Sequence, residues 1–271
     1  MVVGLKGRVV LVTGASSGIG RMTALSLGRE GAKVGLVARR VKHLEEIAAA
    51  VRAEDGTAEV FPGDVANPET LERAVRGCIE QFGQLDVLIN NAGAGLFATV
   101  EQTTAEDLES MLAVNLKGTF HGIKAALPVM RRQGSGHIIN VASTAGRRGS
   151  PYVGAYCASK FAVVGLTESL RTELIGTGIM VSLVLPGATR TNFFDAAQRR
   201  TSLHRGLVGP IEDVEAVAKR IVGLVRRPRA EVMAQPIRRK VILGGNLLAA
   251  GLVDRLLLKV IGNDGNSDRG C

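Results

Sequence analysis

The chain has 271 residues, 46% of them apolar, which suits one large α/β domain with a substantial core. The formal charge is +9, with the excess concentrated from Arg199 onward; aromatics are only 3% and Trp is absent, so no stacking platform accompanies the charge and nucleic-acid binding is not expected. Cys78, Cys157 and Cys271 form no CxxC pattern and His43, His121, His137 and His204 show no ligand spacing, so neither a disulfide framework nor a metal site is expected.

Short β-rich apolar runs alternate along the chain with longer helical patterns. Strands are predicted at 8–13, 33–38, 58–61, 87–90, 137–141 and 180–185. Helices are predicted at 19–30, 41–54, 68–82, 105–132, 152–175 and 212–226. Strands this short, separated by helices, imply βαβ units and a parallel sheet buried on both faces. Right-handed crossovers make that a doubly wound sheet of Rossmann type in a single domain, with ligands at the carboxyl ends of the strands.

The first strand runs directly into "TGASSGIG" (13–20), a layout unlike a signal peptide, and a cytoplasmic setting is expected. Gly14, Gly18 and Gly20 permit a tight turn, close approach of backbone to a phosphate and close helix packing. The helix that follows offers its first N–H groups to an anion. Further on, "YCASK" (156–160) sets Tyr156 and Lys160 four apart. On a helix these share one face, which places a phenol beside an ammonium.

Several segments then resemble the short-chain dehydrogenase/reductase family, in that family's order. They are "TGASSGIG", "NNAG" (90–93), Asn115 in "AVNLKG", Ser143 in "NVAST", "YCASK" and "PGATRT" (186–191). Ser143 precedes Tyr156 by the spacing the family expects, and the likeness extends over about residues 5–225. The resemblance implies a catalytic tetrad of Asn115, Ser143, Tyr156 and Lys160. Tyr156 is then the general acid/base for a carbonyl/alcohol pair, and Lys160 lowers its pKa by favouring the phenolate and bonds the nicotinamide ribose. Ser143 donates to the substrate oxygen, and Asn115 holds a water linking Lys160 to solvent.

The resemblance also implies a dinucleotide site. Its residues are Gly14, Ser16, Ser17, Gly18, Ile19, Gly20, Asp64, Val65, Asn91, Ala92, Gly93, Tyr156, Lys160, Pro186, Gly187 and Thr191. An NAD site places an acid at the end of the second strand, on the ribose 2′-OH. Here "LVARR" has Ala38 at that place, followed by Arg39 and Arg40. Arginine binds a 2′-phosphate through charge-assisted bonds, so NADP(H) is the expected cofactor and reduction the expected direction. An NAD-linked alcohol dehydrogenase and a non-catalytic dinucleotide-sensing module are the alternatives.

A substrate-covering segment is expected at about 187–210, where Phe193 and Phe194 supply an apolar wall. Arg199, Arg200 and Arg205 read as a solvated charge run, with an acidic substrate as the other reading. Tyr152 is expected to line the substrate pocket or to pack. The catalytic unit is taken as residues 1–228 and a basic, amphipathic extension as 229–271, in place of the closing strand common among relatives. Its apolar run at 241–253 is shorter than the ~18 residues of a transmembrane helix. With Arg255 and Lys259 it reads as a helix packed on the domain or at an interface, or as a peripheral membrane contact favouring an apolar or lipid-like substrate. A homo-oligomer, dimer or tetramer, is expected through the long helices near 105–132 and 152–175.

Overall fold

Valine and leucine crowd the short runs of this chain, and in the computed structural model, which describes residues 4–200, 211–233 and 251, those runs become parallel strands. In chain order the elements are β1 (Val9–Thr13), α1 (Gly18–Arg29), β2 (Lys33–Ala38), α2 (Val41–Arg52), β3 (Thr57–Pro62), α3 (Pro68–Phe82) and β4 (Val87–Asn90). Next come β5 (Leu96–Phe97), α4 (Ala105–Leu112), a π-helical turn (Ala113–Lys117), α5 (Gly118–Gln133), β6 (Gly136–Val141) and a 3-10 turn (Thr144–Gly146). The last are α6 (Gly154–Glu173), β7 (Ile179–Leu185), α7 (Phe193–Ala196), β8 (Gln198–Arg199), α8 (Val214–Arg226) and β9 (Glu231–Met233).

Among the described residues a seven-stranded sheet runs β3-β2-β1-β4-β6-β7-β9, every pairing parallel. Its order reverses beside β1, because the chain winds outward to β3 and then returns to place β4 on the other side. That reversal opens a crevice at the carboxyl ends of β1 and β4. One apolar layer lies under α1, α2 and α8, built from residues such as Leu27, Leu44, Ile47 and Ile221. The other lies under α3, α5 and α6 and includes Leu71, Val75, Ile123, Met130 and Leu170. Strands buried on both faces explain why they read as continuous apolar runs and not as alternating ones.

The sheet departs from the expected elements at four places. The single helix expected at 105–132 is broken by the π-helical turn, which contains Asn115. Tyr152 lies outside α6, with a left-handed φ of 65°. A short parallel pair, β5 with β8, stands apart from the main sheet. Finally, β9 joins the main sheet beside β7, so a closing strand exists and the sheet runs to Met233, beyond the expected boundary at residue 228.

No helix among the described residues is long and apolar enough to cross a membrane, and no cluster of metal-ligating side chains occurs among them. The expectations placed on Arg205, on the run at 241–253 apart from Gly251, and on Arg255 and Lys259 fall outside the described residues, as does the side chain of Phe194.

Candidate active site

A cavity of about 710 Å³ opens along the carboxyl ends of β1, β2, β4, β6 and β7. At one end lies the glycine-rich turn. Gly14 and Gly18 adopt left-handed φ values of 66° and 52°, and a Cβ on Gly14 would stand 2.8 Å from the Ala92 Cα. A Cβ on Gly20 would fall 2.4 Å from the Gly14 carbonyl oxygen. Gly20 does not line the cavity; it lets α1 close onto the turn. Ser17, the N-cap residue of α1, makes no side-chain hydrogen bond to the helix, and no acid sits in its first turn. The start of α1 lines the cavity through Ser17, Gly18 and Ile19 without an acidic competitor, and a helix N-terminus of this kind is suited to an anion.

Asn91 fixes this end. Its Nδ2 donates to the Thr13 carbonyl at 3.0 Å, while the Thr13 hydroxyl accepts from the amides of Asn91 and Ala92. The tips of β1 and β4 are thus laced together. Thr191 reaches over the turn, its Cγ2 3.1 Å from where a Gly18 Cβ would lie. Across the mouth, Arg40 donates to the Ser16 hydroxyl at 3.1 Å. Arg39 is 77% exposed and stands 3.7 Å from Asp64. Of the two arginines, Arg40 is the one bonded to the glycine turn. Asp64, Val65, Ala92, Gly93, Pro186, Gly187, Ser17 and Ile19 all line the same cavity.

At the other end α6 presents Tyr156 and Lys160. The Lys160 Nζ donates to the Val141 carbonyl at 3.2 Å and lies 5.8 Å from the Tyr156 ring centre. Ser143 begins the 3-10 turn; its hydroxyl caps the Ala145 amide at 3.1 Å, and Ser143 lines the cavity together with Tyr156. Close approach of this turn to α6 depends on Gly146, where a Cβ would sit 2.7 Å from the Lys160 carbonyl oxygen. Thr144 donates its amide to the Pro186 carbonyl, tying the turn to the end of β7.

Burial dominates the electrostatics. It pushes the Tyr156 phenol up to about 12, against a smaller lowering by the neighbouring Ser143 hydroxyl. It pulls the Lys160 ammonium down to about 8. Desolvation, and not Lys160, sets the direction of the Tyr156 shift, and the Lys160 ammonium is bonded to the Val141 carbonyl. Asn115 is engaged through both atoms of its amide. Its Oδ1 accepts from the Ala94 amide at 2.8 Å, and its Nδ2 donates to the Ala94 carbonyl and the Ser159 hydroxyl. Ser159 in turn donates to the Tyr156 carbonyl at 2.7 Å. The Asn115 side chain is a brace between the β4 loop and α6, and its carbonyl already accepts from Thr119.

The rest of the cavity is lined by the apolar Leu96, Phe97, Met111, Val114, Phe193 and Met233, interspersed with the polar Ser110, Arg147, Arg148, Ser150, Asn192 and Gln198. Phe193 packs against Tyr156 with ring centres 5.8 Å apart. Tyr152 does not line the cavity; its carbonyl accepts from the Ala98 amide. Neither Arg199 nor Arg200 is a solvated charge alone: the first stacks on Phe97 and the second pairs with Asp107. Met111, Gln198 and Met233 were not legible as lining residues. Glu212 was missed too; it accepts from the Gly187 amide at 3.1 Å and from Arg220 at 2.8 Å, holding the Pro186–Gly187 turn.

The family pattern described as short chain dehydrogenase matches residues 8–202. An uncharacterized oxidoreductase of Staphylococcus saprophyticus is 41% identical over 193 residues, covering 70% of this chain and 78% of that protein. A short-chain dehydrogenase/reductase from Burkholderia phymatum, solved in complex with NAD, superposes with a TM-score of 0.83 at 28% identity, over 91% of this chain and 96% of that one. An alcohol dehydrogenase from the archaeon Thermococcus sibiricus, solved with 5-hydroxy-NADP, gives a TM-score of 0.75 at 28% identity, over 85% of this chain and 97% of that one.

Proposed function

The chain belongs to the short-chain dehydrogenase family of oxidoreductases, and from that premise we propose that it is an NADP(H)-dependent enzyme reducing an apolar carbonyl compound to its alcohol. The observation that carries this reading is a half-buried phenol, Tyr156, facing one end of a cavity whose other end is a glycine-rich turn. Similar chains hold NAD in one case and 5-hydroxy-NADP in another. The preference for NADP(H) rests on this chain's own residues: Ala38 supplies no carboxylate, and Arg39 and Arg40 follow it at the cavity mouth. Arg40 and Ser16, already bonded to each other, form a donor pair for a 2′-phosphate.

The nicotinamide ring, when bound, supplies the hydride. The protein supplies the proton and the geometry. Tyr156 remains a phenol at neutral pH, so it is poised as an acid toward the substrate oxygen. As it gives up its proton, Ser143 and the Lys160 ammonium stabilise the phenolate left behind. Ser143 also directs the substrate oxygen, and Asn115, through Ser159, fixes the turn of α6 that carries Tyr156. The Leu96, Phe97, Met111 and Phe193 walls exclude water and favour an apolar substrate. We propose in addition a homo-oligomer paired through α4, α5 and α6, where Leu108, Phe120 and Phe161 are exposed.

The test is consumption of NADPH at neutral pH against short aldehydes, steroid ketones, retinal, quinones and 3-ketoacyl thioesters. Turnover is expected with an apolar carbonyl and falls by about 10²–10⁴-fold in Tyr156→Phe. Exchanging both arginines in Arg39→Asp/Arg40→Ser weakens NADP⁺ binding by about 10–100-fold, with NAD⁺ unaffected or improved. Equal affinities before and after exchange would remove the 2′-phosphate reading and leave the NAD-linked alternative. Binding without turnover on the whole panel would favour a sensing module.

A further inference from the structure

The outer wall of the apolar end is made by two short strands that the main sheet does not support. β8 pairs with β5, the Gln198 amide donating to the Gly95 carbonyl at 3.1 Å and the Arg200 amide to the Phe97 carbonyl at 2.8 Å. On the far side of β5, the Ala98 amide donates to Tyr152, whose left-handed backbone turns its carbonyl that way. Leu96, Phe97 and Gln198 from this ribbon line the cavity, as do Phe193 and Ala196 just before it. Two residues per strand give too few hydrogen bonds to hold such a ribbon by themselves.

Side chains complete the hold. Ala197 is buried against Phe97, Val153 and Cys157, and the Arg199 guanidinium lies 4.9 Å from the Phe97 ring centre. Arg200 donates through Nε and Nη2 to the two carboxylate oxygens of Asp107, each at 3.0 Å. The Asp107 side chain is only 5% exposed, whereas that of Arg200 is 51% exposed. A carboxylate so buried is stable only when paired. Asp107 also belongs to the capping box of α4, its Oδ2 accepting from the Thr104 amide while the Thr104 hydroxyl accepts from the Asp107 amide. One turn further along the same helix, Met111 enters the cavity, and the π-helical turn with Asn115 follows.

We propose that Arg200, through its two-pronged pair with Asp107, clamps the β5–β8 ribbon onto the start of α4 and thereby sets the size of carbonyl compound that reaches Tyr156. Arg200 does not touch the cavity, so it is a positioning residue acting through Phe97 and Gln198. The proposal rests on the carbonyl-reductase reading for its functional half, and on the ribbon geometry alone for its structural half.

Hydrogen exchange on peptides covering 95–98 and 198–200 tests the structural half whatever the chemistry. In Arg200→Gln, exchange there is expected to rise about tenfold or more, with peptides of α6 unchanged and Arg200→Lys in between. Asp107→Asn, which can still accept from Thr104, gives the same loosening by removing the charge alone. For the functional half, KM is compared for propanal and for a steroid ketone. Arg200→Gln is expected to lower the ratio of steroid to propanal KM about fivefold or more, leaving the NADP⁺ affinity unchanged. Unchanged exchange in both variants overturns the clamp. Faster exchange with an unchanged KM ratio overturns its role in selectivity. A wild-type protein that consumes NADPH with no carbonyl overturns the function on which that second half rests, while the exchange result still judges the clamp.

Discussion

Lys160 is buried and Tyr156 half-buried beside it, and desolvation drives both toward their neutral forms. The consequences for stability have opposite signs. The Lys160 pKa falls from 10.5 to about 8, so between these values the unfolded chain binds a proton that the folded chain has released. Stability contributed by this group therefore rises from pH 8 to about 10. The Tyr156 pKa rises from 10.0 to about 12, so its contribution is lost as pH climbs through that interval. Lys160→Met should be the more stable protein at pH 7, by up to about 3 kcal/mol, and the gap should narrow toward pH 10. Urea unfolding of both proteins between pH 7 and 10 measures it; a gap that does not change with pH would mean that Lys160 is better solvated than its burial suggests. At this scale the sequence was informative where chemistry sits in contiguous motifs. Tyr156, Lys160 and Ser143, with the glycine turn, come from short stretches that name their neighbours. Met111, Gln198 and Met233 are ordinary residue types from three separate elements that only the assembled fold brings to one cavity, and it likewise sets Glu212 against the Gly187 amide.

Among the elements, the inner strands of the sheet were legible because burial on both faces demands apolar runs, and the edge strand β3 by its place between two helical patterns. β9 was not, since it has three residues, one of them Glu231, and gains its place only by pairing with β7. The helix expected at 105–132 has the right polarity throughout, but the extra backbone residue of a π turn leaves no mark on an apolar period. That turn aims Asn115 at Ala94 and Ser159. The 3-10 turn before α6 is as exacting. Its Gly146 lies against the Lys160 carbonyl, so Gly146→Ala must push α6 and the Ser143 turn apart. A stability loss of about 1–3 kcal/mol is expected. Turnover should fall by more than stability accounts for, because Ser143 and Tyr156 separate, while dinucleotide affinity is kept. Denaturant melts set beside kcat and an NADP⁺ titration decide this; full turnover in a folded Gly146→Ala protein would show that the two elements adjust without cost.

For the whole molecule, two apolar layers hold a parallel sheet whose carboxyl ends carry the cavity. Leu108, Phe120 and Phe161 project from α4, α5 and α6 at 39%, 45% and 44% exposure, large apolar groups that a second copy can cover. Sedimentation at micromolar concentration should give a dimer or tetramer, and Phe120→Glu/Phe161→Glu should shift it to monomer without unfolding it. A wild-type monomer would place those side chains in water for another reason. The uniform direction of the strands has a practical corollary. Gly83, exposed and with nothing near its missing side chain, lies in the turn that feeds the amino end of β4, on the rim opposite the cavity. A biotin-acceptor peptide inserted there would tether the protein to a sensor chip with its mouth facing the flow, a uniform orientation that random lysine coupling cannot provide.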